Sequence, residues 1–227
     1  MPMKRSKRSR RMDRRWIVVG AVAVVSLVAT LIAANWVLAP QSTASSAEPV
    51  PASALSECGS PSCGQADAPV TIEIYSDFQC PYCKQADAIL QQIAPQYINS
   101  GKARLVYKNM PIIGPESQPA AEAALCAGDQ DKFWMYANYL FARQGNENSG
   151  VFSHSNLKAF ASSLGLDTGQ FNTCLDSGKY TATVRQQAVE AQRLGVTGTP
   201  AFFINGKRYE GVLPAERLAS IIDAGQR

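Results

Sequence analysis

Residues 70–83, VTIEIYSDFQCPYC, decide how this 227-residue chain is read. Val70 to Tyr75 has the β-branched and aromatic composition of a strand. Cys80-Pro81-Tyr82-Cys83 follows, and then Lys84 to Tyr97 carries Ala86, Ile89, Leu90 and Ile93 at helical spacing. A cysteine pair therefore sits where a strand hands over to a helix. Cys80 falls at the helix start, where unpaired N–H groups and the helix dipole favour a thiolate. Two intervening residues let the sulfurs close a ring across one helical turn. The thiolate is the form that attacks a disulfide, and its stability also sets how oxidising the pair is. Cys80 is thus expected to be the exposed attacking or attacked sulfur, and Cys83 the buried resolving partner.

Moving outward, Ala103 to Asn109 reads as a second strand, closed by Pro111, Gly114 and Pro115. A helical stretch comes next. Ser117 is expected as an N-cap with Pro119 just inside, and Gly128 as the stop. Further amphipathic helices are marked by Phe133 to Phe141, Ser155 to Leu164, Asp167 to Leu175 and Tyr180 to Leu194. The chain then returns to strand. Ala201 to Ile204 and Lys207 to Val212 flank Asn205-Gly206, a strong hairpin signal. Pro214 opens a last helix with Leu218, Ile221 and Ile222 on one face. The order is β-α-β, a helical block over about 116–194, then β-β-α. That is an α/β sheet interrupted by an inserted all-helical subdomain.

A lone C-x-x-C is a weak signal. It strengthens at Gly198-Thr199-Pro200, which enters the later strand. A cis Pro200 there would lay the Thr199 backbone beside the cysteines, ready for an extended peptide. The runs PVTIEIYSDFQCPYC (69–83) and GVTGTPAFFING (195–206) together resemble the DsbA-like thioredoxin family, and the likeness extends over residues 66–225. The resemblance implies a thioredoxin fold, Pro200 in cis, and transfer of disulfides to or from exported or secreted proteins. It also implies re-oxidation by a quinone-linked membrane partner of the DsbB or vitamin-K-epoxide-reductase (VKOR) type. Two positions depart from the pattern. Strongly oxidising members carry His between the cysteines, in the place that Tyr82, after Pro81, holds here. Members often carry a buried acid six residues before the first cysteine, where this chain has Ile74. Glu73 is one step earlier, and strand alternation points it to the other face unless a bulge re-aims it. Glu73 is therefore only a candidate proton shuttle.

Four cysteines remain. Cys126 and Cys174 fall on two helices of the insert and are expected to form a structural disulfide, the alternative being two buried free thiols. Cys58 and Cys63 could close a small disulfide or form a second redox pair that exchanges with Cys80. Cys58-x4-Cys63, sixteen residues, then Cys80-x2-Cys83 also resembles a four-cysteine zinc ribbon. The strand between the pairs argues against zinc, and zinc leaves Thr199-Pro200 unexplained. A thioredoxin-like module that binds or chaperones exported proteins without catalysis is the other alternative. His154 is the only histidine, in a polar loop, and is expected to be solvated. Phe133, Trp134, Tyr136, Tyr139 and Phe141 are expected mostly in the core, and Phe78 at the rim of the site.

Charge separates the N-terminus from the rest. Eight of the 22 Lys and Arg residues lie within residues 1–15, leaving a body with 14 basic and 17 acidic side chains. The net positive charge is thus no argument for nucleic-acid binding by the folded part. The uncharged run 16–39 is long enough to span a bilayer as a helix, with Trp16 and Trp36 near its ends. It is expected to be a signal-anchor, with the basic tail in the cytoplasm and the catalytic domain on the periplasmic or outer side of a bacterial membrane. A cleaved signal peptide ending near Ser45-Ser46-Ala47 is the alternative. Residues 40–65, rich at first in Ser, Ala and Pro, are expected to be a flexible tether. No soluble cofactor or metal is required, and without a dedicated dimerisation segment the chain is expected to be a monomer.

Overall fold

The computed structural model describes residues 53–226. Five strands form one sheet: β1 (Ser62–Cys63), β2 (Val70–Ser76), β3 (Ala103–Asn109), β4 (Ala201–Ile204) and β5 (Lys207–Glu210). Their spatial order is β1-β3-β2-β4-β5. Only β2 and β3 run parallel, with Ile72 beside Leu105 and Ser76 beside Asn109. The crossover between them is helix α1 (Pro81–Tyr97). Five helices lie between β3 and β4: α2 (Ser117–Gly128), α3 (Phe133–Arg143), α4 (His154–Ser163), α5 (Thr168–Asp176) and α6 (Thr181–Arg193). Helix α7 (Ala215–Gly225) ends the fold and packs beside α1.

Strand alternation decides what each sheet face meets. Val70, Ile72 and Ile74 of β2 point into the larger core, with Cys83, Leu90 and Ile93 of α1. Tyr75 points the other way, into a smaller cluster with Met110, Ala191, Val196, Ala201 and Phe203. Ala191 belongs to α6, so this last helix of the insert covers the back of the sheet. Lys108 of β3 accordingly reaches Glu190 of α6 at 3.1 Å, and Gln187 Oε1 accepts from the Asn109 backbone N–H at 2.9 Å. The β4–β5 hairpin turns at Asn205 (φ 46°) and Gly206 (φ 77°). Both positive angles are what a two-residue turn of this twist needs. Asn205 Oδ1 also accepts the Thr71 N–H at 2.8 Å, tying the turn to β2. The exposed edge strand β5 carries Lys207, Arg208 and Glu210, charges that discourage pairing with another chain.

In α2, Ser117 and every residue from Ala120 to Ala127 are buried. Its five buried alanines allow neighbours to approach from all sides, so it is the central helix of the insert. The residue before it is Glu116, so Ser117 is its first residue and not its cap.

The folded body begins earlier than residue 66. β1 pairs with the free edge of β3, Leu55 is wholly buried, and Gly59 O accepts the Phe133 N–H at 2.9 Å. Residues 53–65 are therefore docked against the domain. Residues 1–15 and the expected transmembrane stretch 16–39 lie outside the described residues. Among the described residues, no helix is long and apolar enough to cross a membrane.

Candidate active site

Parallel strands β2 and β3 end together, and the chain leaving β2 enters α1 at that end. Cys80 caps the helix in an extended conformation (φ −78°, ψ 120°), and Pro81 starts it. Proline suits that position because its missing N–H would have no helical partner and its φ is already helical. The Cys80 carbonyl accepts the N–H groups of Cys83 at 3.0 Å and Lys84 at 3.2 Å. Cys83, one turn in, is wholly buried, and its Sγ accepts the Asp77 N–H at 3.4 Å.

Across from Cys80, the Thr199–Pro200 bond is cis. The Cys80 thiol donates to the Thr199 carbonyl oxygen at 3.3 Å. The Thr199 hydroxyl is buried without a hydrogen-bond partner among the described residues. Cys80 and Cys83 are both thiols, and their environments push them apart. Cys80 is lowered to about 6, first by the hydrogen bond from Cys83, against its own burial and with help from the N–H groups of Cys83 and Tyr82. Burial pushes the Cys83 thiol up, and the neighbouring Cys80 adds to this. One sulfur is thus held ready as a thiolate and the other as a thiol.

Cys80 itself is only 4% exposed, so the sulfur expected at the surface is covered in this conformation. Tyr82 is 60% exposed beside it, and Ile112, 43% exposed, follows β3. Phe78 is not at the rim. It points inward and lies against Tyr107 and Phe141, with ring centroids 5.3 and 5.0 Å away. Phe133, Trp134, Tyr136, Tyr139 and Phe141 are all buried, so none lines a groove. His154 is exposed at the start of α4.

Glu73 is not brought to the cysteines. It lies on the Tyr75 face of β2, a third exposed, with Lys108 Nζ at 3.7 Å. No bulge re-aims it, because β2 and β3 pair without interruption from Val70 to Ser76. A proton shuttle at Glu73 is therefore set aside. Acids that the sequence reading missed lie elsewhere. Asp77, 2% exposed, accepts the Gln79 N–H on Oδ1 at 2.9 Å. Its Oδ2 accepts the Ile112 and Ile113 N–H groups at 2.8 and 2.9 Å. This carboxylate ties the loop before Cys80 to the loop after β3. Asp87, one turn beyond Cys83, has a carboxyl that burial pushes up from 3.8 to about 7, with Gln91 opposing. An acid four residues after a buried cysteine, amid Ala86 and Leu90, is the sequence signal for it.

The other cysteines are bonded as two disulfides, Cys58–Cys63 and Cys126–Cys174. The second joins α2 to α5. Cys63 lies beside Leu105, at the level of Ile72, four residues before the end of β2. Cys58–Cys63 is thus set along the sheet from Cys80. With these two sulfurs bonded to each other, a four-cysteine zinc ribbon has no ligand set. Among the described residues no three His, Cys, Asp or Glu side chains cluster as a metal site.

Residues 56–224 match the family described as Thioredoxin. The chain is 34% identical over 161 residues to Na(+)/H(+) antiporter NhaA 1 of Salinispora arenicola, covering 70% of this chain and 24% of that protein. It thus spans about a quarter of that antiporter. It is 32% identical over 150 residues to the probable disulfide bond formation protein D of Bacillus anthracis, covering 64% of this chain and 69% of that one. Among solved structures, BdbD from Bacillus subtilis superposes with a TM-score of 0.68 at 24% identity, over 74% of this chain and 93% of that one, a likeness of fold. The chain belongs to the thioredoxin family, in the DsbA-like form that carries a helical insertion within its sheet.

Proposed function

We propose that this chain is an extracytoplasmic thiol–disulfide oxidoreductase that introduces disulfides into exported proteins through Cys80 and Cys83. The observation that carries the reading is the split environment of the pair, with Cys80 stabilised as a thiolate at a helix N-terminus by the Cys83 thiol, and Cys83 buried. In the oxidised enzyme, a substrate thiolate attacks Cys80 Sγ. The Cys80–Cys83 bond breaks, and its electron pair and a proton go to Cys83. A second substrate thiol then attacks the substrate sulfur of the mixed disulfide, and Cys80 leaves as a thiolate. Two electrons pass from substrate to enzyme. A good leaving group at Cys80 stabilises the reduced enzyme and so favours substrate oxidation. The hydrogen bonds to Cys80 supply this without a histidine at Tyr82.

Thr199 and Pro200 would hold the substrate peptide beside Cys80, with Pro81 and Tyr82 forming the other lip. The resemblance to DsbA-like proteins supports a DsbB- or VKOR-like membrane partner that takes the electrons to quinone. The basic tail 1–15 and apolar run 16–39 support a single-pass anchor with this domain outside the cytoplasm. The name of the Bacillus anthracis relative, a probable disulfide bond formation protein, supports the direction of the reaction.

The test is the reduction potential of the Cys80–Cys83 pair in the full-length protein, by equilibration with glutathione buffers. A value near about −120 mV, like DsbA, is expected of a disulfide donor. A value near about −270 mV, like thioredoxin, would make the protein a reductant. A Cys80→Ser variant that kept full cellular function would instead point to a non-catalytic chaperone role.

A further inference from the structure

Among the described residues, one side chain of the helical insert bonds the backbone on both sides of Gln79. Gln144 is the residue at which α3 stops (φ −54°, ψ 122°). Its Nε2 donates to the Phe78 carbonyl at 2.7 Å and to the Cys80 carbonyl at 3.0 Å. Two carbonyls can be satisfied only by the NH2 end of an amide, so the neighbours themselves decide which way this side chain is turned. Both amide hydrogens are used, one on each side of Gln79.

Gln79 is held as well. Its Oε1 accepts the Asn148 N–H at 2.7 Å, and its Nε2 donates to Asn148 Oδ1 at 3.1 Å and to Ser117 Oγ at 2.9 Å. Glu116 holds the far end of the 144–150 loop, accepting the Gly150 and Phe152 N–H groups at 2.6 and 2.8 Å. The loop from the insert is therefore anchored at both ends against the residues that place Cys80.

We propose that Gln144 is a positioning residue for exchange at Cys80, holding the Phe78 and Cys80 carbonyls so that Cys80 Sγ stays at the helix N-terminus opposite Thr199. The proposal rests on the exchange chemistry proposed above. The Cys80 carbonyl is the negative end of a peptide dipole on the same residue as the thiolate. A donor on that oxygen offsets its partial charge. It also fixes the backbone torsions that aim the sulfur at the N–H groups of Tyr82 and Cys83. Without the donor, the thiolate faces a less compensated carbonyl and a looser loop. The reduced form of the pair then loses stability relative to the disulfide.

The test compares full-length wild type with Gln144→Ala, Gln144→Glu and a matched control, Gln130→Ala. Gln130 is also an insert amide with two backbone bonds, to Asp167 O at 3.1 Å and from Asp167 N at 2.8 Å, but it makes none to residues 78–80. Gln144→Ala is expected to shift the equilibrium with glutathione about tenfold towards the disulfide, which is a potential lower by about 30 mV. The pH midpoint of Cys80 alkylation by iodoacetamide should rise with it. Gln144→Glu, an acceptor facing two acceptors, should shift both further in the same direction. Gln130→Ala should lower thermal stability and leave both readouts at the wild-type values. If Gln144→Ala does not fold, Gln144→Met, similar in length and without a donor, carries the same comparison. Unchanged potential and alkylation midpoint in the Gln144 variants, with stability lowered as in Gln130→Ala, would reduce Gln144 to a brace and overturn the proposal. Absence of exchange activity in wild type would defeat the proposed function separately, since alkylation of Cys80 is read without a substrate protein.

Discussion

Replacing Asp77 should separate the scaffold of the site from its chemistry. The carboxylate is 2% exposed and makes no ion pair among the described residues, yet it takes three backbone N–H groups at 2.8–2.9 Å. Hydrogen bonds to a charged group contribute about 1.5–3 kcal/mol each, and a buried donor left unpaired costs about 1–3 kcal/mol. Asp77→Ala orphans all three donors. The Gln79 N–H is enclosed and bears the full penalty. Ile112 is 43% exposed, so the donors of the Ile112-Ile113 loop recover part of theirs from water. The sum is a loss of about 4 kcal/mol. Asp77→Asn keeps one acceptor oxygen. Turned towards Ile112 and Ile113, it preserves two bonds and sets its NH2 against the Gln79 N–H. One donor is then lost, for about 1–3 kcal/mol. Urea unfolding of the full-length chain should therefore rank wild type above Asp77→Asn and Asp77→Ala last. Because Asp77 also donates its own N–H to Cys83 Sγ, the loosened loop should raise the alkylation rate of Cys83. If Asp77→Ala unfolds within about 1 kcal/mol of wild type, the burial cost of the carboxylate equals what its bonds return. The reasoning would then be wrong.

Asp87→Asn should stabilise the protein in a pH-dependent way. A carboxyl at about 7 in the folded state against 3.8 unfolded keeps its proton in the folded state between those values. Stability from this group therefore falls as pH rises through that window, and the variant escapes the loss. The gain over wild type should be absent near pH 4 and reach at most about 4 kcal/mol by pH 8. A gain that does not change with pH would contradict the assignment. The two disulfides should differ in weight. Cys126 and Cys174 are 48 residues apart and Cys58 and Cys63 are 5 apart. Removing the pairs by double alanine substitution should cost about 4 and about 2 kcal/mol in the chain-entropy model. Equal or reversed losses by chemical denaturation would show that local packing outweighs loop closure.

The readings that held in outline were those in which a local rule determines a local shape. The alternating apolar residues of β2, the Cys-x-x-Cys at a strand–helix junction, Asn205-Gly206 between two strands, and the spacing of apolar residues in the insert each depend on residues within one turn or one pleat of each other. Their sum is an α/β sheet with a helical insertion, and it is visible without coordinates. Residues 53–65 were read as tether because their composition is that of a linker, whereas pairing with the edge of β3 and burial of Leu55 depend on a strand 40 residues on. Glu73 fell to the wrong face by plain alternation. Phe78 turned inward because Tyr107 and Phe141 leave it a place in the core. Asp77 and Gln144 carry no motif, and Asp87 only its spacing from Cys83. Their roles come from which backbone donors, carbonyls and apolar walls the tertiary fold sets around them. Burial and hydrogen-bond partners are properties of the space around a side chain, and sequence neighbours fill only part of that space. What the sequence by itself determined was the succession of β2 to β5 and their helices along the chain, and the pair of cysteines where β2 ends. What only the tertiary structure decided was how Cys80 and Cys83 come to differ, because Thr199, Asp77 and Gln144 reach them from segments up to 119 residues away.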